Sequence, residues 1–456
     1  LQRMRSGRPG PVWIEVPLDI QGALIEPDEM HFSIENTDNV PQPNSEQTKR
    51  VLDLVSTSER PLILAGHGIR LSNAAEAFLT LAEAWNIPVV STWNALDLLP
   101  HDHPLYVGSP GVVALRAPNF AVQNCDLLIS IGCRLDNVIT AYNPKNFARS
   151  ARKIVVDVDI AELNKSDMAM EEKVHGDALQ VINSWLAAEY TSTADRSAWL
   201  TSCMNWKAAY PVNDGQPFEV SESISHYQFV DVLSEVIPEN TLIVTGSSGL
   251  AIEAFYSTFR SKSGQRIFLT SGLGSMGYGL PAAIGACLGN GVQHTVAIES
   301  DGSLMLNLQE FATLKSLNLP ITLIVMDNQG YASIRNTQKN YFDSRFIASG
   351  SESGLYIPDL GTVVKSIGLE FFYIDSVDQL EYGLLRAMQV SKPQVCIVRL
   401  FPNESLWPKV AAIPQQDGSI LSMPLEDMSP LLPIDVLQKE MHIPVDSTSI
   451  KARQLN

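Results

Sequence analysis

The stretch that decides the fold is His294-Thr295-Val296-Ala297-Ile298, with Asp301-Gly302-Ser303 close behind it. A second apolar run, residues 320–325, leads into Met326-Asp327-Asn328-Gln329-Gly330. Between the two runs, residues 307–317 carry apolar side chains at helical spacing. This pattern predicts a strand–helix–strand unit with an oxygen-bearing side chain at the end of each strand. In parallel α/β sheets, the carboxyl ends of the strands are where ligands bind.

Asp301 and Asn328, 27 residues apart (328 − 301), have two interpretations. Hard cations such as Mg²⁺ prefer oxygen ligands and often bind phosphate oxygens as well. Gly302 and Ser303 offer backbone N–H groups and a hydroxyl to a phosphate. The residues therefore predict a site for a metal-bound diphosphate. The alternative from spacing alone is a pair of ordinary βα turns, in which Asp-Gly and Asn-Gln-Gly are common.

Composition and charge narrow the classes of protein. The chain has 456 residues, 45% of them hydrophobic and 18% charged, which is typical of a globular protein with about three domains. A net charge of −18 argues against nonspecific nucleic-acid binding. No apolar run approaches the roughly 18 residues of a membrane span, and the basic start at residues 1–5 lacks the apolar region of a signal peptide.

The five cysteines form no Cys-x-x-Cys pair. Three of them follow apolar stretches, which is typical of buried free thiols. We therefore expect a reducing compartment, the cytoplasm, and no zinc site. The cysteines are Cys125, Cys133, Cys203, Cys287 and Cys396.

Alternating strand and helix patterns predict an α/β fold with two doubly wound domains, each with a mostly parallel sheet. Residues 9–17 predict one further strand, the last of a domain whose other strands are not in this sequence. Polar, proline-rich stretches predict linkers, and a non-periodic tail is expected to wrap over the surface. The predicted segments are 1–25 (terminal strand), 26–50 (linker), 51–190 (central domain), 191–225 (linker), 226–401 (metal and diphosphate domain) and 402–456 (tail).

A glycine-rich stretch at residues 271–285 precedes the strand–helix–strand unit. Clustered glycines allow a backbone to approach a flat ligand, and Pro281 suits the first turn of a helix. Met276 lies among the glycines as a soft apolar side chain. Taken alone, the stretch favours the alternative of a glycine-rich turn with a core methionine.

Three motifs, in this order, resemble the cofactor domain of thiamine-diphosphate enzymes of the acetolactate synthase large-subunit type. They are Gly-Leu-Gly-Ser-Met-Gly-Tyr-Gly-Leu-Pro-Ala-Ala at 272–283, Asp-Gly-Ser at 301–303 and Asn-Gln-Gly at 328–330. The resemblance extends over nearly the whole chain. It implies thiamine diphosphate and Mg²⁺ as cofactors, and decarboxylation of a 2-oxo acid such as pyruvate followed by attack on a second carbonyl compound.

The resemblance also implies roles for individual residues. Asp301, Asn328 and the Gly330 carbonyl would bind Mg²⁺. Met276 would support the bent cofactor, so that its 4′-amino group reaches the thiazolium C2. Tyr331, Ile334 and Arg335 could face a substrate or lie on a helix surface. The implied thiamine-diphosphate residues are Gly246, Ser247, Ser248, Gly274, Met276, Gly302, Ser303, Asn328 and Tyr331.

In the central domain, the resemblance covers positions that bind FAD in the family. Glycines after a strand can meet a pyrophosphate, an arginine can hold a phosphate, and an acidic residue at a strand end can bind a ribose hydroxyl. The alternative is a domain that keeps these residues for structure without binding flavin. The residues are Gly66, His67, Gly68, Thr92, Trp93, Gly132, Arg134, Asp136, Asp157, Val158 and Asp177.

Two features depart from the family's pattern. The glutamate that activates the cofactor is expected upstream of Leu1, so this sequence carries no predicted catalytic residue besides the supporting Met276, and Glu15 is expected to be a surface residue. The sequence is therefore interpreted as part of a longer protein. Where acetolactate synthases carry Gly-Gln-His-Gln, this chain has Ser248-Gly249-Leu250-Ala251, which leaves the acceptor substrate open.

Three readings therefore compete. The first is an acetolactate-synthase-like enzyme that forms a homodimer or homotetramer when full-length, or a relative with another acceptor, for example in sugar biosynthesis. The second is a non-catalytic cofactor-binding or regulatory fragment. An NAD-dependent oxidoreductase is disfavoured, because neither sheet opens with a Gly-x-Gly-x-x-Gly turn and its acidic partner.

Overall fold

The computed structural model describes residues 2–30, 40–165, 167–218, 223–247, 249–414 and 420–454. Within them the chain forms two six-stranded sheets in which every neighbouring pair of strands is parallel. Helices cover both faces of each sheet. The predicted α/β class with two parallel-sheet domains is confirmed.

The first sheet has the strand order β3-β2-β1-β4-β5-β6. Every residue of its central strands β1 and β4 is buried, which explains their unbroken apolar sequences. The order reverses between β1 and β4, and this opens a crevice at their carboxyl ends. The strands are β1 Pro61–Ala65, β2 Val89–Ser91, β3 Tyr106–Gly108, β4 Leu127–Ile131, β5 Arg152–Asp157 and β6 Glu172–His175.

The second sheet has the order β11-β12-β10-β9-β7-β8 and reverses between β7 and β9. β9 and β10 are the two strands predicted from the opening stretch, and Met326 pairs with Ser300 at their carboxyl ends. Asp301 and Asn328 therefore follow neighbouring strands. The strands are β7 Leu242–Thr245, β8 Arg266–Phe268, β9 Thr295–Ser300, β10 Ile321–Asp327, β11 Glu370–Ile374 and β12 Gln394–Arg399.

Side-chain caps begin several of the helices, as Asn44, Asp177 and Ser225 do for α3, α9 and α11. The helices are α1 Gln2–Arg5, α2 Leu18–Gln21, α3 Ser45–Thr57, α4 Gly68–Leu71, α5 Ala75–Trp85, α6 Arg116–Asn124, α7 Asn137–Thr140, α8 Ile160–Asn164, α9 Ala178–Ala187, α10 Ser197–Ala209, α11 His226–Val236, α12 Leu250–Thr258, α13 Gly279–Gly289, α14 Asp301–Leu304, α15 Glu310–Leu317, α16 Ala332–Tyr341, α17 Leu360–Ser366, α18 Val377–Ala387, α19 Ile434–Glu440 and α20 Ser447–Gln454.

One of the hydrophobic clusters is shared by the two sheets. A single cluster of buried side chains runs from Ile63 in β1 to Ile243 in β7 and Ile298 in β9. Asp97 adds a polar link, because its carboxylate contacts Arg70 of the first domain at 3.2 Å and Arg266 of the second at 3.0 Å. The carboxyl ends of both sheets are therefore held in a defined relation.

Residues 9–17, predicted as the last strand of a further domain, form no strand in the structure. This stretch is exposed and forms no ladder with any strand in the described part of the chain, and only the short helix α2 follows it. A strand needs a neighbour to take up its backbone hydrogen bonds. The alternating apolar pattern alone does not supply one.

The second predicted linker, residues 191–225, contains the 13-residue helix α10. Its polar composition concealed it, because only Trp199, Cys203 and Trp206 are buried. The first predicted linker likewise contains the start of α3.

The tail returns to the first domain and packs against it. Arg116 donates to the carbonyl oxygens of Met428 and Pro430, at 3.1 and 2.7 Å. Met428 and Leu437 are fully buried there. Besides α19 and α20, the tail forms two small antiparallel sheets, β13 Lys409–Val410 with β16 Met428–Ser429 and β14 Ala412–Pro414 with β15 Ile420–Ser422.

All five cysteines are buried as free thiols. Among the described residues, no helix combines the length and the apolar character that a membrane crossing requires.

Candidate functional site: a metal and diphosphate pocket

Three oxygen-bearing groups converge where β9 and β10 end. Gly330 N–H donates to Asp301 Oδ2 at 2.7 Å, which closes the loop after β10 onto the end of β9. Asn328 lies in this loop and is 2% exposed, and Asp301 is fully buried. Gly330 adopts φ +117, a conformation that favours glycine.

The Asn328 amide has two orientations. With Nδ2 facing His226 Nε2 at 3.2 Å, Oδ1 lies 3.1 Å from Asp301 Oδ1 and 2.8 Å from Gly330 O. Turned over, Nδ2 donates to both of these oxygens and Oδ1 accepts from His226 Nε2 at 3.2 Å, which pairs every group without a cation. In the first orientation three oxygens meet without a hydrogen between them, which is unfavourable unless a cation lies among them.

The oxygen separations fit Mg²⁺. Octahedral Mg²⁺ has ligand distances of about 2.0–2.1 Å, so neighbouring ligand oxygens lie about 2.9 Å apart. In the first orientation the 3.1 and 2.8 Å separations bracket this value, and in the second the same separations are ordinary N–H···O hydrogen bonds. One carboxylate, one amide and one carbonyl also match the preference of Mg²⁺ for few protein ligands plus phosphate oxygens.

Burial raises the pKa of Asp301 to about 7, with a further contribution from the Asp327 carboxylate. The N–H groups of Gly330, Gly302 and Asn328 act in the opposite direction. A cation bound beside Asp301 would therefore stabilise its charged carboxylate form.

The glycine-rich loop is tied to the same corner. Gly277 N–H donates to Ser303 Oγ at 2.9 Å, and Ser247 Oγ donates to the carbonyl of Ser275. The turn after β7, the loop at 271–277 and the end of β9 thus meet at the point where the strand order reverses. Met276 lies in this loop and is 41% exposed. Gly274 adopts φ +61.

Tyr331 and Arg335 pack inward against neighbouring loops, whereas Ile334 is half-exposed. The Tyr331 ring closes over Gly302, where an added Cβ would lie 2.8 Å from the ring. Arg335 turns inward and donates to the carbonyls of Asn328 and Pro402 at 2.6 Å each. Ile334 is 48% exposed. Arg335 therefore supports the loop after β10 from behind, and it also lines a cavity together with Gln329 and Glu404.

The departure from Gly-Gln-His-Gln has a structural explanation in part. Leu250 and Ala251 begin α12 and are buried, so they contribute to the core. Gly249 adopts φ +94 at the entrance of this helix. Ser248, a predicted diphosphate residue, lies outside the described residues.

Sequence reasoning missed three polar residues near this pocket. His226 contacts Asn328, and Glu404 contacts His226. Glu299 is fully buried beside Gly246 and accepts the Gly279 N–H at 2.8 Å. His226 and Glu404 lie far from the motifs in sequence, so no local signal identified them, whereas Glu299 is a charged residue inside an apolar strand and was visible as such.

A second pocket lies at the crevice of the first sheet. Two adjoining cavities of about 300 and 260 Å³ share His67, Asn94, Gly132, Arg134 and Ser271. The first brings together the predicted residues His67, Thr92, Trp93, Gly132, Arg134 and Asp136. The second brings together His67, Gly68, Gly132, Arg134, Asp157, Val158 and Asp177.

Several of these residues also have structural roles. Asp136 and Asp177 cap α7 and α9, and one Asp157 oxygen accepts the Asp159 N–H at 2.9 Å. Burial raises the pKa of Asp157 and lowers that of His67.

Arg8 enters the second cavity from the N-terminal segment, which the sequence did not suggest. It contacts Glu162 at 2.6 Å and Asp159 at 3.2 Å.

Each of the two sheet-containing domains matches a known protein family. Residues 48–184 match the central domain of thiamine pyrophosphate enzymes, and residues 245–398 match their C-terminal TPP-binding domain. The chain therefore belongs to the acetolactate-synthase-like family of thiamine pyrophosphate enzymes.

Individual relatives within this family are named acetolactate synthases. A probable acetolactate synthase large subunit of Methanocaldococcus jannaschii is 33% identical, over 88% of this chain and 68% of its own length. The isozyme 2 large subunit of Escherichia coli is 30% identical, over 89% of this chain and 71% of its own length. Acetolactate synthase 1 of Nicotiana tabacum, a chloroplastic protein, is 30% identical, over 89% of this chain and 61% of its own length. The chain thus spans about two thirds of the length of these relatives.

Proposed function

We propose that the protein uses thiamine diphosphate and Mg²⁺ to decarboxylate a 2-oxo acid, with pyruvate as the donor, and to join the product to a second carbonyl compound. The observation that carries this proposal is the convergence of Asp301, Asn328 and Gly330 in one buried corner, where the Asn328 amide lies 3.1 Å from Asp301 Oδ1 and 2.8 Å from Gly330 O. The names of the relatives support the acetolactate-synthase type of reaction.

In this proposal each part of the pocket has one task. Asp301, Asn328 and Gly330 hold Mg²⁺, and Gly302 and Ser303 meet the diphosphate together with Gly246 and Ser247. Met276 and Gly274 shape the loop that supports the cofactor's bend. When bound, thiamine diphosphate supplies the carbanion chemistry, and the protein supplies position and electrostatics.

Calorimetric titration of thiamine diphosphate, with and without Mg²⁺, tests the cofactor assignment. Asp301→Ala should abolish the Mg²⁺-dependent part of the binding, because it removes the only charged ligand. Asp375→Ala is the matched control, because this half-exposed carboxylate follows β11 at the same sheet edge and pairs with Arg399 at 3.3 Å. Binding that is indifferent to Asp301→Ala would sink the proposal.

Turnover separates the catalytic from the non-catalytic reading. Steady-state assays of pyruvate consumption and product identity, with candidate acceptors, address the donor and the acceptor together. Cofactor binding without turnover under any acceptor would favour a cofactor-binding or regulatory role for this chain.

A second cofactor is favoured by the first sheet. We infer that its crevice binds FAD, because the order β3-β2-β1-β4-β5-β6 is that of dinucleotide-binding sheets and all of the predicted residues except Gly66 line two adjoining cavities at its switch point. The purified protein should be yellow and release flavin on denaturation. A colourless preparation that takes up no added FAD by absorbance titration contradicts this assignment.

We also propose that the full protein is a homodimer or homotetramer, since the large-subunit names of the relatives imply that such chains assemble with other subunits. Leu273, 94% exposed beside the pocket, provides an apolar contact for a second copy. Sedimentation equilibrium measures this directly, and a monomer at micromolar concentration would contradict it.

A further inference from the structure

A chain of buried side chains reaches the proposed metal site from outside. Glu404 Oε2 lies 2.7 Å from His226 Nδ1, and His226 Nε2 lies 3.2 Å from Asn328 Nδ2. His226 is fully buried, and the Glu404 side chain is 11% exposed. The three residues come from the segment after β12, the start of α11 and the loop after β10.

Glu404 is itself held on several sides. Its Oε2 also accepts the His226 backbone N–H at 2.6 Å, and its Oε1 accepts Ser225 Oγ at 2.5 Å. The Glu404 carbonyl accepts Asn336 Nδ2 at 3.0 Å. The carboxylate therefore has a defined position from which to orient the imidazole.

The hydrogen bonds connect Glu404 through His226 to the Asn328 amide. A carboxylate only accepts, so His226 Nδ1 donates to Glu404 Oε2. His226 Nε2 faces the Asn328 amide at 3.2 Å. With Nδ2 toward His226, the amide turns Oδ1 toward Asp301 Oδ1 and Gly330 O.

We propose that Glu404 and His226 are positioning residues for Mg²⁺, which set the Asn328 amide with its oxygen toward the cation. This inference rests on the proposed function. A reversed amide would present N–H groups to a cation and lose one of three protein oxygens. Outer hydrogen-bond partners of metal ligands typically contribute about 10- to 100-fold to metal affinity.

The test is calorimetric titration of Mg²⁺ into the full chain in the presence of thiamine diphosphate. His226→Phe fills the ring volume but offers no acceptor, and it should weaken Mg²⁺ binding about 10- to 100-fold. His226→Gln carries an N–H for Glu404 and a carbonyl for Asn328, so it should recover most of the affinity. A merely structural role would not distinguish the two variants in this way.

Glu404 supplies a second pair of variants in case a change at buried His226 prevents folding. Glu404→Leu should weaken Mg²⁺ binding, and Glu404→Gln, whose amide oxygen still accepts from Nδ1, should keep it. The metal-free melting temperature of each variant separates a folding defect from a metal-binding defect.

The outcomes distinguish this inference from the proposed function. If Asp301→Ala loses Mg²⁺ while His226→Phe and Glu404→Leu bind it like the unaltered protein, the positioning role is overturned and the metal site stands. If Asp301→Ala still binds Mg²⁺ normally, the proposed function itself fails.

Discussion

Glycines, which have no side chain, determine how closely the loops approach each other at both pockets. An added Cβ on Gly66 would lie 2.1 Å from the carbonyl oxygen of Gly132, so the turns after β1 and β4 touch backbone to backbone. At the second sheet, a Cβ on Gly246 would lie 2.2 Å from Glu299 Oε1. These contacts explain why glycines follow the strands on either side of the two switch points.

Gly66→Ala should destabilise the first domain by about 1–3 kcal/mol, because the obstacle is backbone and cannot rotate away. Its measure is the free energy of unfolding in urea, followed by circular dichroism. Gly285→Ala is the control, since this position lies inside α13 with no atom within 4 Å of the new Cβ. It should be neutral or stabilising by up to about 1 kcal/mol. Equal effects of both changes would contradict the argument.

Helix α10 shows how an element can be invisible in composition and still essential in packing. Trp199 and Trp206 lie seven residues apart on its buried face. Trp199 Nε1 donates to the carbonyl of Pro61 at 2.8 Å, and Trp206 Nε1 donates to Glu440 Oε2 at 2.6 Å. The helix thereby joins β1 to α19 in the tail.

Trp199→Ala should lower the free energy of unfolding by about 3–5 kcal/mol, the usual cost of removing a buried aromatic side chain. Asn205→Ala, on the exposed face of the same helix, should change it by less than about 0.5 kcal/mol. Chemical denaturation of the two variants checks this, and a small effect of Trp199→Ala would mean that α10 is a dispensable linker.

On the scale of the whole molecule, the two domains meet through groups that are poorly solvated. The His101 N–H donates to the Ser261 carbonyl at 2.8 Å across the domain boundary. Burial lowers the pKa of the His101 side chain to about 3, and the charges of Lys207 and Arg260 add to the effect. Burial likewise lowers the pKa of Lys207 to about 8.

This burial predicts a pH-dependent stability. Below the ordinary histidine pKa of about 6.5, the unfolded chain binds a proton that folded His101 refuses, so stability falls as the pH falls from about 6.5 toward 3. The slope for one such group is about 1.4 kcal/mol per pH unit. His101→Gln should therefore show a shallower fall in unfolding free energy between pH 6 and 4.5. An unchanged slope in urea titrations would show that His101 is accessible to protons in the folded state.

The sequence by itself determined the α/β class and most of the central strands, and it predicted which oxygens would form the proposed metal site. Buried parallel strands leave continuous apolar runs, and ligand residues at strand ends interrupt those runs with Asp, Asn and Gly. β1, in which every residue is buried, is one such run. Short edge strands such as β6 and β8 have mixed burial and left no such run.

Only the tertiary structure decided what surrounds those residues. His226 lies 102 positions from Asn328, and Glu404 lies 178 from His226, so their contacts follow from the crossing of strands and not from any local pattern. Tertiary structure likewise decided that Arg335 turns inward and that the predicted linker at 191–225 contains a helix. It also decided that residues 9–17 form no ladder with the other described residues. A ligand can be recognised from its own chemistry, whereas its support depends on which distant segments the sheet order brings beside it.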